Sequence, residues 1–161
     1  MKHRTTLVLG VALIGLGLAG MTAVWLLGSP AAPSAPRGGF ASLGQQIYFT
    51  GADAAGPIPR AGGPSHMASA RACVGCHGAT GTGGSFGMMR NFEVPDIRYS
   101  ALTSPHPEDD PPTPAWTDAD IARAIRDGVE PNGESLDAFM PRWDMTDDDM
   151  NAVIAYLKEL G

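Results

Sequence analysis

Apolar residues recur at helical spacing near the C-terminal end of the chain. Thr146 and Asp149 form a capping-box pair that marks the start of a helix. The apolar side chains that follow fall on one stripe: Met150, Val153, Ile154, Leu157 and Leu160. The pattern predicts a helix from Thr146 onward with one buried face.

Two further helices are predicted upstream by the same signals. One begins at Thr117, with Asp120 three residues on, and ends around Gly128. A shorter one begins at Ser42, with Gln45 in the capping-box position and Gly51 after its end. No run of alternating β-branched residues points to a strand, so we expect an all-α domain.

An uncharged run of 22 residues, Leu7–Gly28, precedes these helices and would span roughly 33 Å as a helix, enough to cross a bilayer. Lys2, His3 and Arg4 precede the run and predict a cytoplasmic N-terminus, with the remaining chain exported. Residues 1–28 are therefore interpreted as a transmembrane anchor or a cleaved signal peptide, 29–39 as a Pro- and Gly-rich tether, and 40–161 as the folded domain.

Composition adds two constraints on this domain. The 21 Gly and 14 Pro residues indicate many loops, and the net charge of −6 disfavours nucleic-acid binding. The charge is uneven: residues 40–100 carry 4 basic and 3 acidic side chains, whereas 101–161 carry 4 basic and 14 acidic ones. The acidic half could steer docking to a basic partner, although several of its aspartates lie at helix starts, where they favour the helix dipole in any case.

The chain has two cysteines, both in the sequence Cys73-Val74-Gly75-Cys76-His77. This is the C-x-x-C-H pattern of covalent haem c attachment, in which two thiols add to the haem vinyl groups and the adjacent histidine ligates the iron. A disulfide would close a very small ring, a thioredoxin-like pair lacks a βαβ context, and a zinc site lacks further ligands at suitable spacing. Haem attachment is therefore the predicted chemistry.

The opposite face of the iron needs a second ligand. Met140 lies between the second and third predicted helices, where a loop can bring a flexible thioether to the iron. Met145 and Met150 are expected to pack in the core. Met88 and Met89 are expected to line or cover the haem. His66 and His106 lie in Pro-rich loops and are expected to be solvated.

From about Gly44 to Leu160 the sequence resembles the class I mono-haem c-type cytochromes. The resemblance is carried by Gly44 and Tyr48 in the first helix and by the last helix. Three further stretches carry it: Cys73–Gly78, Val94-Pro95-Asp96-Ile97 and Met140-Pro141. It implies a class I cytochrome c fold in which the first and last helices cross, with Gly44 and Tyr156 on the facing sides. It also implies that His77 and Met140 are the axial ligands, and that the carbonyl of Pro95 accepts a hydrogen bond from His77.

Arg142 and Trp143 follow the predicted ligand loop. Either could donate a hydrogen bond to a haem propionate, or they could be a surface arginine and a core tryptophan. The sequence departs from the compact family pattern in a long segment at 51–71 and in a Pro-rich insertion at 104–114. Both departures bear on the choice of partner more than on haem binding.

Iron with His and Met ligands has no open position for a substrate, and Met ligation raises the reduction potential. We therefore expect an electron carrier rather than an enzyme: a cytochrome tethered to the bacterial cytoplasmic membrane, with its haem domain in the periplasm. It would take electrons from a quinol-oxidising complex or dehydrogenase and deliver them to a terminal oxidase or reductase. The alternatives are a permanent haem subunit of a membrane enzyme complex, and a haem sensor or peroxidase-like protein with a labile sixth ligand.

Overall fold

The computed structural model describes residues 39–64, 68–87, 91–107 and 112–161. The elements of these ranges are, in chain order, α1 (Leu43–Thr50), β1 (Arg60–Ala61), a 3₁₀ turn (Ala68–Arg71), α2 (Val74–His77), β2 (Gly84–Gly87), β3 (Asn91–Val94), α3 (Tyr99–Leu102), α4 (Asp118–Asp127), β4 (Arg142–Trp143) and α5 (Asp147–Glu159). The domain is mostly helical, as the sequence predicts.

The three predicted helices begin where their capping residues indicate. The side chain of Ser42 accepts from the amide of Gln45 ahead of α1, and Gly51 ends that helix in the left-handed region at φ 66°. Thr117 and Asp120 form a reciprocal capping box at α4, and Thr146 accepts from the amide of Asp149 at α5. Each helix thus satisfies one of its free N-terminal amides within its own sequence, which is why its start could be predicted.

Helices α1 and α5 cross in close contact. A Cβ on Gly44 would collide with the backbone carbonyl of Ala152 and lie 2.9 Å from the Cβ of Tyr156, so only glycine lets α1 approach this closely. Beside the crossing, the rings of Tyr48 and Tyr156 are 5.3 Å apart between centroids. The expected packing of the first helix against the last is therefore present.

Two short antiparallel ribbons were not predicted by the sequence. Strand β1 pairs with β4, with Arg60 opposite Trp143 and Ala61 opposite Arg142. Strand β2 pairs with β3, with Gly84 opposite Val94. The β1–β4 pair ties the long segment ahead of the cysteine motif to the segment that follows Met140.

The core lies between α1, α4 and α5. The side chains that share it, each with at most 5% of its surface exposed, include Ile47, Tyr48, Ile121, Trp143, Met145, Met150, Val153 and Leu157. The two methionines expected to pack, Met145 and Met150, are among them. At about 25 cal/mol per Å² of apolar surface, each fully buried side chain of this kind contributes roughly 1.5–3 kcal/mol to the free energy of folding.

Some predictions fall on residues that the structure does not describe. These are the anchor or signal segment at 1–28, nearly all of the tether at 29–39, and the side chains of His66, Met88 and Met89. Among the described residues, no helix is both long enough and apolar enough to cross a membrane.

Candidate haem site

The cysteine motif folds into the short helix α2. The amide of His77 donates to the carbonyl of Cys73 at 2.9 Å, and the amide of Gly78 donates to the carbonyl of Val74 at 3.0 Å. Gly78 then leaves the helix at φ 76°. These local bonds place the two cysteines one turn apart, with His77 directly after them.

Cys73 and Cys76 are not joined to each other in a disulfide. Burial raises the pKa of Cys73 to about 12 and also raises the pKa of Cys76, so the protein environment favours the uncharged thiol at neutral pH. Over the described ranges, no three His, Cys, Asp or Glu side chains lie together in a way that could hold a metal ion.

His77 is buried, with 6% of its surface exposed. Its Nδ1 lies 3.1 Å from the carbonyl oxygen of Pro95, which can only accept, so Nδ1 carries the proton. Burial is the largest influence on the pKa of His77 and lowers it, which favours the neutral ring. Nε2 of that tautomer has a free lone pair, the form in which imidazole ligates a metal. This is the contact with Pro95 that the resemblance implies.

Gly83 allows the Pro95 carbonyl to reach His77. A Cβ on Gly83 would collide with the carbonyl oxygens of Val94 and Pro95, and φ at Gly83 is +64°. The amide of Gly83 also donates to the carbonyl of His77 at 3.0 Å. Sequence reasoning did not assign this role. The available signal was the cluster of glycines at 78–84, several of which adopt positive φ values.

Tyr48 supports the motif from behind. Its hydroxyl donates to the carbonyl of Gly78 at 2.7 Å, and its side chain is fully buried. Burial raises the pKa of Tyr48 well above its ordinary value, so the phenol remains a donor. The resemblance marked Tyr48 as a landmark of the first helix, but the partner of its hydroxyl, thirty residues away, had no signal in the sequence.

A cavity of about 540 Å³ opens beside the motif, within the roughly 300–1,000 Å³ usual for cofactor and small-molecule sites. Most of its lining is apolar, and it draws on both halves of the domain. The predicted site residues that line it are Cys73, Cys76, His77, Pro95, Met140 and Trp143. Two cysteines and a neutral imidazole on the wall of one apolar cavity are the groups that covalent attachment of haem c uses, and the thioether of Met140 lines the same cavity.

The remaining candidates lie as follows. His106 also lines the cavity, and its Nε2 is 3.1 Å from the carbonyl oxygen of Ala101. Trp143 is 3% exposed, and Arg60 lies over its ring at 5.8 Å, so it is a core tryptophan that also faces the cavity. Arg142 is not among the lining residues. Its guanidinium donates to the carbonyls of Met140 and Leu136, and the propionate contact stays a prediction for both residues.

The charged groups on the cavity lining are acidic. Glu93, Asp96, Glu130 and Asp137 contribute to it, and no Lys or Arg does so among the described residues. Asp96 is paired with Arg98 at 2.6 Å, and the hydrogen bonds from Arg98 hold the pKa of Asp96 below its usual range. The two halves of the domain therefore contribute two acidic residues each to the lining of the cavity.

Comparison with known proteins agrees with the chemistry of the site. The family model for Cytochrome c matches residues 61–161, which is more than half of the chain and includes the motif, the cavity and Met140. No curated protein and no solved structure gives a match. Members of this family carry covalently attached haem c and transfer electrons, and Cys73 and Cys76 are consistent with the C-x-x-C-H attachment motif of the family. The chain belongs to the cytochrome c family.

Proposed function

We propose that this protein is a mono-haem electron carrier tethered to the bacterial cytoplasmic membrane, with His77 and Met140 as the axial ligands of its iron. The observation that carries the proposal is the cavity that His77 and Met140 line together. Haem c bound there would exchange one electron between Fe(II) and Fe(III). The protein's part is to hold the ring through two cysteines, fix the tautomer of His77 through Pro95, and supply a thioether.

Two features support an electron carrier. A thioether is a soft ligand that favours the reduced iron and so raises the reduction potential. Cysteines on the wall of a largely apolar cavity retain the cofactor in a compartment outside the cytoplasm, where a lost haem could not be replaced.

The proposed location and partners follow from the charge and from the N-terminal sequence. Residues 7–28 would anchor the protein with its N-terminus in the cytoplasm and its haem domain in the periplasm. The acidic groups of the lining favour redox partners with a basic docking surface, and association with such a partner slows as salt is added. The donor would be a quinol-oxidising complex or dehydrogenase, and the acceptor a terminal oxidase or reductase.

The ligand assignment is tested by comparing Met140→Leu with Met145→Leu in the full-length haem protein. Leucine keeps the approximate volume and removes the sulfur, and Met145 is a buried core residue that does not line the cavity. We expect Met140→Leu to lose the weak red band of ferric Met-ligated haem, to lower the reduction potential, and to let the reduced protein bind carbon monoxide rapidly. Met145→Leu should leave all three unchanged.

An unchanged spectrum and potential in Met140→Leu would contradict the assignment. Rapid carbon monoxide binding by the wild-type protein would favour the sensor or peroxidase-like alternative. Purification in mild detergent distinguishes a tethered electron carrier from a permanent subunit of a membrane enzyme complex. A monomer that exchanges electrons with soluble redox proteins supports the carrier, whereas stoichiometric co-purification with other subunits supports a complex.

A further inference from the structure

Arg142 lies at the foot of the loop that presents Met140. Its guanidinium donates through Nη1 to the carbonyl of Met140 and through Nη2 to the carbonyl of Leu136, the second at 2.9 Å. One side chain thus connects the cavity-lining methionine to a point four residues earlier in the loop. Hydrogen bonds from a charged donor are about twice as strong as neutral ones.

The guanidinium also rests on the end of α4. Gly128 caps that helix at φ 70°, and a Cβ at this position would collide with Nε, Cζ and Nη2 of Arg142. The carbonyl of Gly128 accepts from the amide of Leu136 at 2.9 Å. Gly128, Leu136, Met140 and Arg142 therefore form a closed set of contacts that joins the end of the helix to the loop.

The backbone of Arg142 is itself held in place. Arg142 belongs to β4 and pairs with Ala61 of β1, and the neighbouring Trp143 is buried. Beyond the strand, the amide of Asp144 donates to the carbonyl of Pro59 at 2.9 Å. The backbone of Arg142 is therefore held in place while its side chain contacts the loop.

Other contacts also order the loop. Most residues from 133 to 139 are exposed, and Phe139, with 51% of its surface exposed, lines the cavity. The amide of Phe139 donates to the side chain of Asp137 at 2.8 Å. The remaining backbone links include the amide of Gly63 to the carbonyl of Ala138 at 3.2 Å and the amide of Met140 to the carbonyl of Asp137 at 3.1 Å. The two hydrogen bonds from Arg142 act together with these links, and they are the ones that come from a charged side chain outside the segment.

We propose that Arg142 is the positioning residue of Met140: it fixes the loop so that the thioether stays in the cavity and the sixth position of the iron stays closed. The proposal rests on the proposed function, because it takes Met140 as the ligand. Removing the guanidinium should leave haem attachment intact while letting Met140 leave the cavity more often. The measurable consequence is access of an external ligand to the reduced iron.

The test uses the full-length haem protein and two variants, Arg142→Gln and Arg142→Lys. Each hydrogen bond to a charged group is worth a factor of about ten or more in an equilibrium constant. We therefore expect the carbon monoxide affinity of Arg142→Gln to rise about tenfold or more, with partial loss of the red Met-ligation band. Arg142→Lys keeps the charge but not the forked geometry, and should show an intermediate rise.

Arg126→Gln is the matched control. Arg126 also donates to a backbone carbonyl, that of Met145 at 3.2 Å, and it pairs with Asp147, so its hydrogen bonds are made to the segment after Met140 and not to the loop before it. We expect Arg126→Gln to lower thermal stability without changing carbon monoxide affinity. An equal rise in affinity in Arg126→Gln and Arg142→Gln would show a general loosening and overturn the proposal.

The remaining outcomes separate the positioning role of Arg142 from the ligand assignment of Met140. Unchanged carbon monoxide affinity in both Arg142 variants overturns the positioning role, even where Met140→Leu has confirmed Met140 as ligand. An unchanged spectrum in Met140→Leu instead overturns the ligand assignment, whatever the Arg142 variants do. If Arg142→Gln fails to accumulate as a haem protein, the affinity of Arg142→Lys gives the answer.

Discussion

Two walls of the cavity are ordered in different ways. The wall that carries Cys73, Cys76 and His77 is a single helical turn whose amides bond to carbonyls three or four residues back. The buried hydroxyl of Tyr48 and the carbonyl of Pro95 support it from outside. The wall that carries Met140 is an exposed loop in which a side chain, that of Arg142, supplies two of the hydrogen bonds.

This difference separates the two tasks of the site. The motif wall is held by several hydrogen bonds, with His77 buried at 6% exposure and both cysteines half-buried, and it suits a permanent attachment. The Met140 wall depends on a few polar contacts, so its conformational equilibrium can shift without unfolding the domain. Damage to the first wall should therefore appear in stability, and damage to the second in ligand access.

The largest effect is expected at Gly83. Gly83→Ala would place a Cβ against the carbonyls of Val94 and Pro95, whereas Gly84, also at positive φ, has open space around its Cβ position. Both substitutions introduce backbone strain, and we expect Gly83→Ala to cost about 2–3 kcal/mol more than Gly84→Ala in the free energy of unfolding. Denaturant titration of the two haem proteins measures the difference. Equal costs would show that the Pro95 carbonyl is not confined by Gly83.

A smaller loss is expected for Tyr48→Phe. The change removes the 2.7 Å hydrogen bond to the half-buried carbonyl of Gly78 and leaves that carbonyl only the longer bond from the amide of Gly81 at 3.4 Å, at a cost of about 1–2 kcal/mol. Tyr99→Phe is the control, because the hydroxyl of Tyr99 donates to Asp118 at the exposed surface. Urea unfolding should separate the two variants. A Tyr48→Phe protein as stable as wild type would remove Tyr48 from the supports of the motif wall.

The cost of Tyr48→Phe should also depend on pH. Burial raises the pKa of Tyr48 in the folded state, so folding favours the neutral phenol. The stabilisation by Tyr48 is complete below the pKa of an unfolded tyrosine, about 10, and is lost as the pH rises from there towards the folded-state pKa. The stability difference between wild type and Tyr48→Phe should therefore shrink above pH about 10. A difference that grew with pH would be inconsistent with a buried neutral phenol.

The smallest change in stability is expected at Gly128, on the Met140 wall. Gly128→Ala adds strain of about 1 kcal/mol at positive φ and displaces the guanidinium of Arg142. Gly133→Ala adds comparable strain, but the space around its Cβ position is open. We expect carbon monoxide affinity to rise in Gly128→Ala and to stay unchanged in Gly133→Ala. In the double variant, the rise in carbon monoxide affinity should be smaller than the sum of the rises in Gly128→Ala and Arg142→Gln, because both residues act through one set of contacts. Fully additive rises would show that the two residues act independently.

The features that could be predicted from the sequence are those that a few neighbouring residues determine. Ser42, Thr117 and Thr146 cap their helices through partners three residues on, and the five-residue motif specifies its own helical turn. The contact between His77 and Pro95 was accessible only through the resemblance, because the two residues are 18 positions apart.

The features that could not be predicted depend on distant partners. Strand β2 contains two glycines in four residues, and β1 has only two residues. Neither strand is long enough to show an alternating pattern of polar and apolar residues in the sequence. The contact of Arg142 with the loop before Met140 depends on Gly128 ending α4 beside the guanidinium, and no local sequence pattern indicates this. Met140 was predicted as a loop residue between two helices, but what orders that loop emerged only from the fold.

The crossing of α1 and α5 has a consequence for how the domain is made. Gly44 lies near the start of the domain and Ala152 near its end, yet their backbones meet. During synthesis, the contact between α1 and α5 cannot form until almost all of the chain has emerged. Contacts between segments so far apart also close slowly. The native fold is therefore completed late, after the last helix, α5, has become available to pack against α1.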